Sequence, residues 1–303
     1  MDTSDNIRRA RPLLGTFVEI AAAGAPRRDL QHAIDKAFAA VAQVHRLMSF
    51  HDAASDVSRL NREAAVRAVA VHAWTYQVLE TAAELNRRSG RLFDVTVAPL
   101  LQQRGLLPRH AHDHDPIVER TTPAGAVDLL AGGRVRCRDP GVRIDLGGIA
   151  KGFAVDRAVA VLREHGLPHG LVNAGGDLAA FGPQPQAIHI RNPMRASGVL
   201  GRAEIADAAL ASSGRMFDAL QSAEAGDCAV FDPNTQSPVR RIVGATVRAP
   251  SCMIADALTK VVMIAGEGAS DLLRRYRADA LFVLESGDVW ITPDWPNAVR
   301  LAA

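Results

Sequence analysis

Two glycine-rich turns near the middle of the chain constrain its fold and chemistry more than any other feature. They are Asp145-Leu-Gly-Gly-Ile-Ala-Lys-Gly152 and Asn173-Ala-Gly-Gly-Asp177. Glycine lets backbone amides approach an anion closely, and the helix predicted after the first turn adds partial positive charge, so the pair predicts a phosphate-binding site. Neither turn has the spacing of a dinucleotide-binding G-x-G-x-x-G or a P-loop, which excludes those two motifs. Either turn alone is compatible with a structural role; together they favour a nucleotide ligand.

Around these turns, the pattern of apolar residues predicts helices and short strands in an irregular order. Helical spacing predicts helices at 28–48, 73–88 and 251–265, and a further one that follows the first glycine turn and ends at Gly166. Strands are predicted at 15–22, between Gly141 and the first glycine turn, at 170–173, near 187–191 and 200–205, and at 281–284 and 289–291. Without a regular βαβ order, the chain is expected to adopt a mixed α+β fold rather than a doubly wound sheet.

Two segments are predicted to lack regular helices. Polar residues that bond to nearby backbone predict a loop over 50–61, and scattered Pro, Gly and Thr predict a variable loop and hairpin region over 102–139. Within the latter, His110, His112 and His114 suggest a metal site, but their Asp- and Pro-rich context favours an exposed loop. The 303 residues exceed the roughly 100–200 of a typical domain, so one large domain or two intimately packed ones are expected.

The composition favours small-molecule chemistry. The net charge is +2 and 48% of residues are hydrophobic, which excludes a disordered chain and gives no basic surface for nucleic acid or an anionic membrane. No window is long and apolar enough to span a bilayer, and the N-terminus lacks an apolar leader, so a cytoplasmic location is expected. Cys137, Cys228 and Cys252 are widely spaced, as is typical of proteins in a reducing compartment.

Lysine is rare in this chain. Of 35 basic residues only Lys36, Lys151 and Lys260 are lysine. A compact ammonium is not interchangeable with a guanidinium, so Lys151, within a glycine turn, and Lys260 are candidates for a chemical role. Chance within an arginine-rich composition is the alternative.

Lys260 belongs to a third cluster, Asp256-Ala-Leu-Thr259-Lys260. Positions three and four apart share a helix face, so a carboxylate, a hydroxyl and an ammonium converge there. Oxygen ligands of this kind suit Mg²⁺ bound together with substrate phosphates. The alternative is a solvent-facing ion pair between Asp256 and Lys260, although the apolar neighbours indicate a buried helix.

Eight segments of the chain form a recognisable series: LLGTFVEI, MSFHDAASDVSRLN, GRLFDVTVAPLL, DLGGIAKGFAVDRA, LVNAGGDLAAFG, ALASSG, FDPNT and ADALTK. Taken in order, these segments closely resemble the FAD:protein FMN transferase family, also called ApbE-type. The similarity covers most of the chain, and no single segment would suffice.

The resemblance implies a single domain over 1–303, made of two interlocked parts with FAD bound in the cleft between them. Family members transfer FMN from FAD to a Thr or Ser hydroxyl of a target flavoprotein and release AMP, with help from magnesium. By motif, the catalytic residues implied are Asp256, Lys260 and Asp232, and the metal ligands are the Ala150 carbonyl, Asp256 and Thr259. The residues implied to bind FAD are Ser58, Asn61, Phe93, Asp94, Thr96, Asp145, Gly147, Gly148, Lys151, Gly152, Asn173, Gly175, Gly176, Asp177 and Ser212.

The sequence also departs from the family pattern. Leu14 replaces a Met, Gln236 replaces a Gly, and Ala229 stands where the His-x-x-Asp-Pro motif has its histidine, so His51 is considered as a replacement base. Lys260 stands where the metal-binding Asp-x-x-x-Thr motif has its threonine, which suggests that its ammonium substitutes for the metal. Alternatively, Thr259 and Asp256 remain metal ligands and Lys260 points elsewhere. These departures leave open a non-catalytic FAD-binding protein or a slow FAD pyrophosphatase.

Overall fold

An antiparallel sheet of eight strands forms the centre of the computed structural model, which describes residues 5–109, 125–195, 197–215, 230–293, 295 and 299–302. In spatial order the strands are β1 (Asp5–Leu13), β2 (Thr16–Ala25), β6 (His169–Ala174), β7 (Asp177–Phe181), β10 (Ala208–Gly214), β13 (Ile242–Ala249), β14 (Asp279–Leu284) and β15 (Val289–Ile291).

Smaller sheets surround this one. They pair β8 (Gln186–Arg191) and β16 (Val299–Leu301) with β9 (Val199–Ile205), β3 (Val69–Ala70) and β4 (Val127–Leu130) with β5 (Arg134–Cys137), and β11 (Phe231–Asp232) with β12 (Ser237–Pro238). The helices are α1 (Arg27–Met48), α2 (Asp56–Glu63), α3 (Ala73–Arg88), α4 (Ala98–Gln103), α5 (Ala150–Glu164), α6 (Cys252–Ala265) and α7 (Ser270–Arg275).

Strand β7 shows why the central sheet is buried on both faces. Its side chains alternate: Ala179 and Phe181 pack into the large core that also contains helices α1, α5 and α6, whereas Leu178 and Ala180 join a second core. The second core also contains Ile190 of β8, Ala203 of β9 and the fully buried Trp295. The central sheet is therefore covered by helices on one face and by the β8–β9–β16 sheet on the other. This arrangement confirms the predicted α+β class.

Most predicted elements are confirmed. Helices α1, α3, α5 and α6 lie at the predicted positions, as do strands β2, β6, β8, β9, β14 and β15. Within 102–139, β4 and β5 form the expected hairpin; the three histidines at 110, 112 and 114 lie outside the described residues. Across the part of the chain that the structure describes, no helix is both long and apolar enough to cross a bilayer.

The expected loop over 50–61 is wrong in its second half. Helix α2 begins at Asp56, and the Ser55 side chain caps it by accepting a hydrogen bond from the Ser58 backbone N–H at 3.0 Å. Serine is a favoured N-cap because its oxygen satisfies one of the unpaired N–H groups of the first turn. The polar residues of this segment thus start a helix rather than prevent one.

The strand predicted just before the first glycine turn is also wrong. Residues 142–146 form no strand ladder. Instead, the Asn61 side chain pairs with the backbone of Ile144, which donates its N–H to Asn61 Oδ1 at 2.7 Å and accepts from Asn61 Nδ2 at 2.9 Å. One buried amide side chain therefore replaces a neighbouring strand.

Several strands were not predicted. β1 carries Arg8, Arg9 and Arg11, which form ion pairs with Glu19 and Asp35. Such charges suit an edge strand but hide its alternation. β10 and β13 consist largely of small residues, whose apolar periodicity is weak.

Candidate functional site

The candidate site begins where helices α5 and α6 cross. At the contact stands Gly152, where a Cβ atom would lie 2.2 Å from the Cys252 carbonyl oxygen. Only glycine fits there, because such a separation is far inside van der Waals contact. Its backbone N–H donates to Asp256 Oδ2 at 3.0 Å. The glycine thus allows the close approach of the helices and holds the Asp256 carboxylate.

Asp156 of α5 also connects the two helices at this crossing. Its carboxylate accepts the backbone N–H groups of Cys252 at 2.7 Å and Met253 at 2.9 Å, at the start of α6. Burial raises the pKa of Asp156 to about 6, and these two hydrogen bonds act against that rise. Sequence analysis missed this residue, although a carboxylate that directly follows the apolar residues 153–155 is a signal that it has a partner.

Two buried carboxylates and two lysines lie next to this crossing. Lys151 forms an ion pair with Asp177, and Lys260 forms one with Asp256. Asp256 is fully buried and Asp177 is 1% exposed. The two lysines of the sequence that were singled out for chemistry are therefore neighbours in one network, and the solvent-facing ion pair considered for Asp256 is wrong.

The electrostatics of this network couple its members. Burial opposes the charged form of Asp256, but Lys260 and Lys151 outweigh it and hold the pKa of that carboxyl below its ordinary value. Burial raises the pKa of Asp177 despite Lys151, and nearby Asp256 adds to the rise. Burial disfavours the charged form of Lys151, yet Asp177 and Asp256 raise its pKa overall. Lys151 is therefore firmly charged.

The Thr259 hydroxyl is held within the protein. It donates to the Asp256 backbone carbonyl at 2.6 Å and lies 2.7 Å from the Ser213 hydroxyl. Ser213 was not identified from the sequence. Among the described residues, no group of three His, Cys, Asp or Glu side chains is arranged to hold a metal ion.

The first glycine turn lies beside Lys260. A Cβ at Gly148 would lie 3.4 Å from Lys260 Cε and 3.7 Å from the Phe93 ring. Within the turn, the Gly147 N–H donates to Asp145 Oδ1 at 3.1 Å. Burial raises the pKa of Asp145, while the Gly147 N–H and the nearby charges of His51 and Lys260 lower it. Glycine turn, aromatic ring and ammonium thus share one location.

The other candidate side chains on this side shape the backbone around the turn. Asp94 Oδ1 accepts from both the N–H and the hydroxyl of Thr96, at 2.8 and 2.6 Å, and the Asp145 N–H donates to the Val95 carbonyl at 2.8 Å. Ser58 donates its hydroxyl to the Phe50 carbonyl at 3.3 Å. The bond between Asp145 and Val95 joins the segment of Phe93 to the glycine turn.

The second glycine turn joins β6 to β7. Gly175 and Gly176 adopt φ values of +69° and +108°, which other residues rarely adopt, and Asn173 Oδ1 accepts the Gly176 N–H at 2.9 Å. The Arg191 guanidinium lies beside this turn and bonds to the Gly175 carbonyl at 3.4 Å. Sequence analysis missed Arg191, which is one of many arginines in the chain.

Ser212 connects this turn to the charge network. Its N–H points to Asp177 Oδ1 at 3.4 Å, and its hydroxyl lies 2.9 Å from that of Thr246. Because Asp177 begins β7 directly after Gly176, the second glycine turn ends at the Lys151 ion pair.

Asp232 lies in the turn between β11 and β12. Its carboxylate accepts the Asn234 N–H at 2.8 Å, and the Asn234 side chain donates to the Gly90 carbonyl at 3.2 Å, near the Phe93 segment. Within the described residues, the hydrogen bonds of Asp232 stay within its own turn and do not reach the two lysines. Ala229 lies outside the described residues.

Comparisons with known proteins agree with this architecture. A family model described as the ApbE family matches residues 14–282. The FAD:protein FMN transferase of Vibrio cholerae is 29% identical over 279 residues, covering 87% of this chain and 83% of that protein. The enzyme of the same name from Rhodobacter capsulatus is 29% identical, covering 93% of this chain and 56% of the longer relative.

Solved structures give the same result. The crystal structure of the ApbE protein of Thermotoga maritima matches with a TM-score of 0.86 at 26% identity, covering 98% of this chain and 100% of that one. The flavin transferase ApbE of Vibrio cholerae matches with a TM-score of 0.79 at 25% identity, covering 97% and 99%. Since the family model spans most of the sequence, the chain belongs to the ApbE family.

Proposed function

We propose that this protein is a flavin transferase that moves FMN from FAD to a Thr or Ser hydroxyl of a target flavoprotein and releases AMP. The observation that carries the proposal is the meeting of a glycine turn, an aromatic ring and two lysines at the α5–α6 crossing. Fixed cations and the close backbone approach that glycine permits suit a pyrophosphate, and an aromatic ring suits a flavin or adenine. The names of the family relatives support the same reaction.

The chemistry asked of the residues is phosphoryl transfer. The acceptor oxygen forms a bond to the FMN phosphorus, the pyrophosphate P–O bond breaks, and AMP leaves with the bonding electron pair. Lys151 and Lys260 neutralise the charge that builds on the phosphate oxygens, and the glycine turns position the pyrophosphate. The acceptor proton passes to a base, for which His51 is the candidate because its ring lies near Asp145 beside the first turn.

We assign FAD contacts to the two glycine turns and their supports. Phe93, Gly147, Gly148 and Lys151 would face the ligand from one side, and Gly175 and Gly176 from the other. Asn61, Ser58, Asp94, Thr96, Asp145, Asn173, Asp177 and Ser212 would act mainly by holding these segments in place, as their hydrogen bonds indicate. Gly152 would act through helix packing. The cleft between two interlocked parts belongs to this same proposal.

Magnesium does not fit the side chains as they are arranged. Of the implied ligands, Asp256 has Oδ1 bonded to the Lys260 ammonium and Oδ2 bonded to the Gly152 N–H, and Thr259 donates its hydroxyl to the backbone. Because the Lys260 ammonium already occupies Oδ1, a magnesium ion that demands near-ideal octahedral geometry would have to compete with it for this carboxylate. Lys151 and Lys260, rather than a metal ion, therefore neutralise the phosphate charge in the proposed transfer.

A direct test is to incubate the purified protein with FAD and a Thr-bearing acceptor domain, measuring AMP by chromatography and covalent flavin by mass. The proposal expects equal amounts of AMP and flavinylated acceptor. AMP without labelled acceptor would indicate a pyrophosphatase, and tight FAD binding without AMP would indicate a binding protein; either result would refute flavin transfer. An acceptor with Ala in place of its Thr serves as control.

The target flavoprotein and a cytoplasmic location are parts of the same proposal. The buried free thiols of Cys137 and Cys252 are compatible with a reducing compartment. Cell fractionation, followed by mass analysis of flavinylated proteins in each fraction, would test both.

A further inference from the structure

We infer that Lys260 is a built-in cation of this site, which takes the place of a divalent ion at Asp256 and makes FAD binding independent of magnesium. The inference rests on the proposed function for the identity of the ligand. It concerns a different property, namely which cation offsets the charge of the pyrophosphate.

The Lys260 ammonium is bonded to the residue implied as a metal ligand. Lys260 Nζ bonds Asp256 Oδ1 and also the Asp256 backbone carbonyl, the latter at 3.0 Å. A magnesium ion would need the same Oδ1 at about 2.0–2.1 Å. The two cations cannot share that position, so metal binding would require the ammonium to leave a carboxylate that is fully buried. Displacing the ammonium would break both of its hydrogen bonds to Asp256, so a metal ion has to compete with a cation already in place.

The Lys260 side chain runs toward the first glycine turn. Its Cε lies 3.4 Å from where a Cβ at Gly148 would stand, and the Phe93 ring borders the same space. The stem therefore runs along the first glycine turn, and the side chain is 20% exposed. The charge is presented at the turn proposed to bind phosphate, rather than elsewhere on the protein surface.

The charges of the buried network already balance. Asp177, Asp256, Lys151 and Lys260 carry two negative and two positive charges arranged as two pairs. A divalent ion added to this group would leave an excess of two positive charges before the substrate arrives. Asp256, the one carboxylate among the implied metal ligands, already has its countercharge in Lys260.

The experiment measures FAD binding to the purified protein by flavin fluorescence, with Mg²⁺ or with EDTA, and metal binding by electron paramagnetic resonance with Mn²⁺ as the probe. We expect the FAD dissociation constant to differ by less than about twofold between the two conditions. We expect no tightly bound Mn²⁺ in the presence or absence of FAD. Stoichiometric Mn²⁺, or a gain in FAD affinity with Mg²⁺ of about tenfold or more, equivalent to roughly 1.4 kcal/mol, would overturn the inference.

Lys260→Thr tests the lysine itself, and Lys36→Thr is the matched control because Lys36 is an exposed lysine of α1. In EDTA we expect Lys260→Thr to bind FAD about tenfold or more weakly and Lys36→Thr to bind like the wild type. Lys260→Arg, which keeps the charge, should recover part of the affinity. Unchanged binding by Lys260→Thr in EDTA would contradict the inference.

These readouts separate the two proposals. If Lys260→Thr fails to fold, the wild-type comparison of Mg²⁺, EDTA and Mn²⁺ still decides the question. FAD binding without metal but without AMP release would refute flavin transfer and leave the cation assignment intact. FMN transfer that requires Mg²⁺ would support flavin transfer and overturn the assignment of Lys260 as the cation.

Discussion

The Lys260 and Asp256 pair sets the pH dependence of this protein at the scale of single residues. Because the folded-state pKa of Asp256 is lowered, its ionisation contributes stability above the unfolded pKa, and that stability is lost as the pH falls through the folded value. Replacing Lys260 removes the largest group that lowers this pKa.

We therefore expect Lys260→Met to reduce the free energy of unfolding at pH 7 by about 3 kcal/mol, since it leaves a buried charge with less compensation. The deficit should narrow as the pH falls from the pKa of Asp256 in the variant, raised by the loss of Lys260, to the lower pKa in the wild type, because the variant's carboxyl takes up its proton first. Urea unfolding from pH 3 to 8 measures this loss of stability, with Lys36→Met as the control variant. A deficit that is equal at all pH values would mean that only packing was lost.

A second residue-scale prediction concerns His51, the candidate base. His51 is exposed and its charge acts on Asp145, so the ring can be lost with little effect on folding. We expect His51→Ala to slow FMN transfer by about a hundredfold or more while FAD affinity stays within about twofold. Stopped assays of labelled acceptor and fluorescence titrations measure the two effects. Unchanged transfer would remove His51 from the mechanism.

At the scale of elements, the crossing of α5 and α6 depends on Gly152. A Cβ there would meet the Cys252 carbonyl at 2.2 Å and Asp256 Cβ at 2.8 Å, and neither backbone nor Cβ can move without shifting a helix. We expect Gly152→Ala to lower the free energy of unfolding by roughly 3 kcal/mol, the upper end for overpacking, and to weaken FAD binding.

Gly268→Ala is the control for that substitution. Gly268 lies in a short turn after α6, and an added Cβ would make only an ordinary contact of 3.7 Å with Ala265. Its unfolding midpoint in urea should match the wild type within experimental scatter. If both variants lost the same stability, the cost would come from losing glycine in general, and the helix contact would not be its cause.

At the scale of the whole molecule, the site gathers residues that are far apart in sequence. Asn61 bonds Ile144, Gly152 bonds Asp256 and Asn234 bonds Gly90, across 83, 104 and 144 positions. The central sheet makes this possible because β6, β7, β10 and β13 are neighbours in it and carry α5 and α6 on one face. The site can therefore form only when most of the fold is in place.

The sequence by itself determined the fold class, the main helices, the two glycine turns and the family. These follow from local causes: apolar spacing along a helix, the backbone freedom of glycine, and short motifs in a specific order. Lys151 and Lys260 stood out because lysine is rare here, and both proved to be in one charge network. Helix α2 was mispredicted as a loop because its residues are mostly polar. The Ser55 cap in the structure shows where the helix begins.

Only the tertiary structure decided what each group is bonded to. Whether Lys260 pairs with Asp256 or points to solvent depends on the burial of α6 and on the space beside Gly148, and no spacing along the chain carries that information. The same holds for Asp156, Ser213 and Arg191, whose partners lie on other elements. A charge is set by its residue type, but its function depends on the neighbours and on the exclusion of water, which only the folded chain provides.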